Sequence, residues 1–105
     1  MPLPENVLPL RRTPTFTEST VPLGLLKAHS TKEGSWGLIH VLEGALAYRL
    51  CDPRRAQAET TLTPDGAPGV VEPTILHEVE PLGRVQFYVE FHRAPDSADA
   101  PDGGR

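Results

Sequence analysis

Proline and glycine together punctuate this chain too often to leave much room for a long helix. Twelve prolines and nine glycines fall along 105 residues. Proline removes a backbone donor and clashes with the preceding helical turn, whereas it fits strand starts, sheet edges and turns. The best helical stretch, residues 54 to 59, is short and runs straight into Thr60-Thr61-Leu62-Thr63. The chain therefore reads as all-β.

The strands are expected as short segments between turn signals. Thr15-Phe16-Thr17 reads as an edge strand within a Pro/Thr-rich lead-in of 20 residues. Residues 23 to 29 read as a strand bent at Gly24, and residues 35 to 42 as a strand that Gly44 turns into residues 45 to 50. Residues 60 to 63 form a short strand before the turn signals Pro64-Asp65-Gly66 and Pro68-Gly69. Val70-Val71-Glu72 leads to residues 75 to 79, and Pro81-Leu82-Gly83 turns the chain into residues 84 to 92. In that last segment Val85, Phe87, Val89 and Phe91 alternate with polar or larger neighbours, the period of a strand with one face on a core. Short strands at this spacing imply a sandwich or small barrel. A single domain, residues 1 to 93, suits the length. Residues 94 to 105, rich in Asp, Ala, Pro and Gly with no apolar period, are expected to form a disordered tail.

Charge and cysteine usage narrow the partners. Ten basic and 14 acidic residues give a formal net charge of -4, with no basic stripe. Neither nucleic acid nor an anionic membrane is an expected partner. Cys51 is the one cysteine, so no intrachain disulfide can form, which fits a reducing compartment. Met1-Pro2-Leu3-Pro4-Glu5 has no basic and apolar signal pattern, and no apolar run reaches transmembrane length. A cytoplasmic location is expected.

Two segments concentrate side chains that carry chemistry. The first holds His29 and Glu33, and the second holds Glu72 and His77. Two distant strands that each bring an imidazole and a carboxylate can converge on one divalent transition metal, with Fe(II) favoured and Zn, Ni, Cu or Mn accepted. The even spacing of His29 and Glu33 puts both on one face of a strand. The odd spacing of Glu72 and His77 puts them on opposite faces unless Pro73 breaks the ladder. Trp36, the single tryptophan, and Tyr88 read either as core packing or as walls of a pocket for a small-molecule ligand. His40 and His92 are expected on outer faces or at strand ends, and Glu78 and Glu80 in solvent. There is no Gly-rich phosphate loop, no nucleophile elbow and no Cys-x-x-Cys pair.

The run from His29 to Trp36, then Val41-Leu42-Glu43-Gly44, Val71-Glu72-Pro73 and His77-Glu78-Val79-Glu80-Pro81, resembles a known family. It is similar to the small bacterial cupin-like domain at the N-terminus of some tellurite-resistance methyltransferases, which also occurs alone in proteins linked to nitrate or nitrosative stress. The resemblance spans roughly residues 8 to 93. It implies a cupin-type jelly-roll β-barrel with a metal site inside one end, His29, His77, Glu33 and Glu72 carrying over as ligands. The pattern departs at two positions. Glu33 stands where the second histidine is usual, and Gly37, seven residues before Gly44, stands where the glutamate is usual. Because only the tail follows Arg93, no methyltransferase domain and no S-adenosylmethionine site is expected. The expected function is that of a metal-binding small cupin, an oxygenase-like enzyme acting on a small molecule in a stress response. The alternative is a non-catalytic binding or sensing module. A homodimer is expected by analogy.

Overall fold

The structure, a computed structural model, describes residues 3, 4 and 6 to 93. Its strands are β1 (Leu8–Arg12), β2 (Phe16–Thr17), β3 (Ser35–Leu50), β4 (Ala58–Leu62), β5 (Gly69–Val71) and β6 (His77–Arg93), with one 3-10 helix at Leu23–Leu26. The all-β expectation holds. The expected tail, residues 94 to 105, lies outside the described residues.

Two long strands organise everything else. β3 and β6, of 16 and 17 residues, pair antiparallel from Ser35 opposite Arg93 to Leu50 opposite His77. β1 and β2 add to the free side of β6, and β5 and β4 to the free side of β3. The resulting order is β1-β6-β3-β4. β1 and β4 are not paired with each other, so the sheet is not closed, and the expected jelly-roll barrel is corrected to an open curled sheet. The closing strands are short: β2 has two residues and β5 three.

Two of the four signals read as turns, Gly44 and Pro81-Leu82-Gly83, lie inside continuous strands. Gly44 pairs with Val85 and Leu46 with Pro81, so residues 82 to 84 bulge from β6 opposite Ala45. A bulge bends its strand and raises the local twist, which lets so long a ribbon curl around a core. Gly44 is required here. Its φ is +81°, and a Cβ would fall 1.9 Å from the carbonyl oxygen of Arg84.

The core lies on the concave face. From Ser35 to Val41, buried and half-buried positions alternate with period two, so Ile39 and Val41 face the same way. They meet Val79, Val85, Phe87 and Val89 of β6, with Leu46, Tyr48, Leu62 and Val71 completing the cluster. Phe87, Leu46 and Val85 are fully buried, and Phe16 of β2 meets Phe87 edge-on at 5.6 Å. The Tyr48 hydroxyl donates to the Val70 carbonyl at 2.9 Å, which satisfies its polar end inside the core. Burial pushes its pKa up to about 12.

Two further elements differ from expectation, and a third conforms to it. Residues 23 to 29 hold a 3-10 helix entered from extended Pro22, not a strand. Residues 54 to 59 form no helix; the chain turns at Asp52, whose carbonyl accepts from Arg55 N–H at 3.1 Å, and β4 begins at Ala58. β1 arises from the lead-in, where all five residues are exposed and give no alternation to read. No described helix is long and apolar enough to cross a membrane.

Candidate functional site

Two segments bring His29 and His77 together. An isolated antiparallel bridge joins them: each backbone N–H donates to the other's carbonyl at 2.9 Å. The rings stand 4.1 Å apart between centroids, tilted by 58°. His29 Nδ1 is 2.9 Å from the Lys27 carbonyl oxygen, and His77 Nδ1 is 3.1 Å from that of Ile75. A carbonyl can only accept, so each Nδ1 carries the proton and donates. Among the described residues neither Nε2 has a partner. His77 is buried, and that burial, helped by the neighbouring His29, lowers its pKa to about 4. Its ring is neutral at physiological pH, and its Nε2 is a hydrogen-bond acceptor.

A buried carboxylate fixes the segment that delivers His77. Asp52 is 2% exposed. It receives the Arg54 guanidinium through Nε and Nη2 at 2.9 and 2.7 Å. The backbone N–H groups of Leu76 and Arg54 add bonds of 2.9 and 2.7 Å. These contacts, the guanidinium first, hold its carboxyl well below the usual carboxylate range. Arg54 also donates to the Thr74 carbonyl at 2.6 Å, and Cys51 N–H to the Leu76 carbonyl at 3.0 Å. Asp52 was not among the residues singled out from sequence. Its signal is the Asp-Pro pair Asp52-Pro53, a pattern that favours a side-chain-capped turn. Cys51 is a half-buried free thiol whose pKa is raised chiefly by burial, so it lacks the thiolate character that reactivity needs.

The two histidines line a cavity of about 420 Å³ on the concave face. Its walls are mainly apolar: Leu25, Ile39, Val71, Val79, Phe87, Val89 and Phe91. Ser30, Thr31, Thr13 and Arg11 add polar groups, and no Asp or Glu is among the described residues lining it. Gly37 lines it too. A Cβ there would stand 3.2 Å from Val71 Cβ and 3.5 Å from Val89 Cγ1. Arg11 had no sequence signal, because its strand is an exposed edge without periodicity.

The other expected site residues lie elsewhere. Glu72 is clamped by Arg55 through Nε at 3.1 Å and through Nη2. Glu33 is exposed in the turn before β3 and does not line the cavity. Trp36 pairs with His92 and Tyr88 with His40 on the opposite face of the ribbon, and neither aromatic lines the cavity. Tyr88 stacks on His40 at 4.8 Å and lies 3.8 Å beneath the Arg12 guanidinium carbon. Glu90 accepts from His40 at 3.3 Å and from His92 at 3.1 Å through Nε2 of each ring. Among the described residues no three of His, Cys, Asp and Glu stand together as metal ligands. The expected transition-metal centre, with Fe(II) or any of its alternatives, is corrected accordingly. The histidines meet, but one carboxylate is held by an arginine and the other stays in solvent, so the third ligand such a centre needs is missing.

Comparison with known proteins gives a consistent answer. A family model described as the TehB-like domain matches residues 11–89. The chain is 36% identical over 73 residues to the probable S-adenosyl-L-methionine-dependent methyltransferase TehB of Haemophilus influenzae strain Rd, and 34% identical over 73 residues to that of strain 10810. Each match covers 69% of this chain and 26% of the relative, so the chain spans about a quarter of these proteins. In fold it matches the crystal structure of TehB from Haemophilus influenzae with a TM-score of 0.82, at 24% identity, over 94% of this chain and 36% of that one. A crystal structure of an Escherichia coli K12 protein matches with a TM-score of 0.78 at 25% identity, over 90% of this chain and 98% of that one. The Haemophilus influenzae relatives overturn the expectation of a metal-binding, oxygenase-like cupin in a stress response: they are named as S-adenosyl-L-methionine-dependent methyltransferases, and nothing in the site supports oxygen chemistry at a metal.

Proposed function

The chain belongs to the TehB-like domain family, and from that premise we propose that it serves S-adenosylmethionine-dependent methyl transfer by holding the methyl acceptor. One observation carries this reading. The apolar cavity has two imidazoles in its wall whose Nδ1–H groups are already committed to backbone carbonyls. An acceptor with an apolar body would enter by burying area, at about 25 cal/mol per Å². A hydroxyl, thiol or amine on it would donate to Nε2 of His77, the ring that stays neutral. With its pKa near 4 His77 is a weak base at neutral pH, so its Nε2 is suited to orient the acceptor by a hydrogen bond rather than to keep the proton that methyl transfer releases.

The same lining does not fit S-adenosylmethionine itself. That molecule carries a sulfonium and an ammonium cation as well as a carboxylate, and the described lining, with Arg11 and no Asp or Glu, offers the two cations no counter-charge. No step is therefore routed through the cofactor in this cavity. The test is a titration of the chain with octan-1-ol and, separately, S-adenosylmethionine, followed through valine and isoleucine methyl NMR signals. Octan-1-ol should shift Ile39, Val71, Val79 and Val89, and Val71→Trp should abolish those shifts by filling the space. If octan-1-ol leaves these methyls unmoved, or S-adenosylmethionine moves them, the cavity is not an acceptor site.

A further inference from the structure

The apolar cavity is flanked by a second one of different character. The two share Arg11, Thr31 and Phe91, and the second, also of about 420 Å³, is lined in addition by Lys32 and Arg93. Three cations thus border one pocket, and no carboxylate is among the described residues lining it. The chain as a whole has 14 acidic residues against 10 basic ones, so a wall with only basic charge runs against its composition. The ion pairs of the described residues engage Arg49, Arg54 and Arg55, and none engages Arg11, Lys32 or Arg93. Arg11 lines both pockets, its guanidinium carbon 5.0 Å from the centroid of the Phe91 ring. Cations that no described acidic residue neutralises raise the local concentration of anions, and a low-dielectric wall beside them strengthens the attraction.

We propose that the natural ligand is an amphiphilic anion, its apolar body in the inner cavity and a carboxylate or similar anionic head against Arg11, Lys32 and Arg93. This rests on the acceptor-site reading above and deepens it by naming the class of molecule. Arginine suits the head because its planar fork takes a carboxylate in a bidentate grip, and Lys32 adds a point charge. The apolar body fixes which end goes inward, because an anionic head pushed among Val71, Val79 and Phe87 would lose its hydration without a counter-charge.

Octanoate, octan-1-ol and acetate are the probes, titrated into the full chain and read by the same methyl signals. Octanoate should shift the cavity methyls and bind about tenfold or more tighter than octan-1-ol, the effect of one or two charge-assisted hydrogen bonds. Acetate should leave them in place. The paired substitution Lys32→Gln and Arg93→Gln, at residues that line only the second pocket, should sharply reduce the preference and leave octan-1-ol binding unchanged. Lys32→Gln alone, in an exposed turn, should reduce it in the same direction without touching a strand. Equal affinity for octanoate and octan-1-ol, or a preference that survives the paired substitution, overturns the anion while the cavity reading stands. Failure of both eight-carbon probes to shift the methyls overturns the cavity reading itself.

Discussion

Two pairs of histidines lie on opposite faces of the β3–β6 region, and their nitrogens are used in opposite ways. On the concave side, His29 and His77 spend Nδ1 on backbone carbonyls and keep Nε2 free beside the cavity. On the convex side, His40 and His92 both turn Nε2 to the single carboxylate of Glu90. His92 Nδ1 is buried without a partner among the described residues. The residue type is the same; what separates an available imidazole from a consumed one is the partner of each nitrogen. The concave pair can serve a ligand, whereas the convex pair ties two strands together.

The largest expected effect removes the floor that the concave pair shares. Phe87→Ala deletes a fully buried ring and should cost about 3–5 kcal/mol of unfolding free energy, read from the denaturant midpoint. A loss under about 1 kcal/mol would mean that the concave face does not carry the stability assigned to it.

Next comes pH, which acts on the concave pair. The pKa of His77 lies near 4 when folded, below its ordinary 6.5. Between those values the unfolded chain binds a proton that the folded chain refuses. The contribution is therefore fully present above pH 6.5 and is lost as pH falls to about 4, on the order of 3 kcal/mol in all. Unfolding curves across this window should show that slope, and His77→Gln should flatten it. An unchanged slope in the variant would place the titration elsewhere.

The smallest effect falls on the convex pair. Glu90 is held below the usual carboxylate range chiefly by His92, and its side chain is one-third exposed. Glu90→Gln should cost only about 0.5–1 kcal/mol in urea melts. It should also leave octan-1-ol binding as it was, since Glu90 does not line the cavity. A change in probe affinity would show that the two faces are coupled.

Much of this comparison was legible in the residues themselves, though not which nitrogen goes where. The alternation of Val85, Phe87, Val89 and Phe91 predicts the concave face of β6, and the sequence alone singles out His29 and His77. Glycine and proline mislead where pairing partners decide: Gly44 and Pro81-Leu82-Gly83 carry turn chemistry, yet the ladder resumes on both sides of the bulge. Residues 23 to 29 misread because Leu23, Leu25 and Leu26 are equally apolar in either conformation, and the structure makes a 3-10 turn of Leu23–Leu26. The fate of Glu72 depends on Arg55, 17 residues away, which no local pattern announces. Trp36 and Tyr88 were placed as either core or wall, and they pack on the far face of the ribbon. Arg11 stayed invisible because edge strands carry no period.

The bare backbone at Gly37 has a consequence for how such a domain diversifies. Residue 37 sits beside its cross-strand partner Val71, and a single added methyl would press on that side chain and touch Val89. Bulk at that one position trims the space from one side without disturbing the hydrogen bonds of the histidines or the cations at the mouth. One codon therefore acts as a calibre dial: relatives with alanine or serine there should accept slimmer molecules, while the chemistry of recognition stays the same.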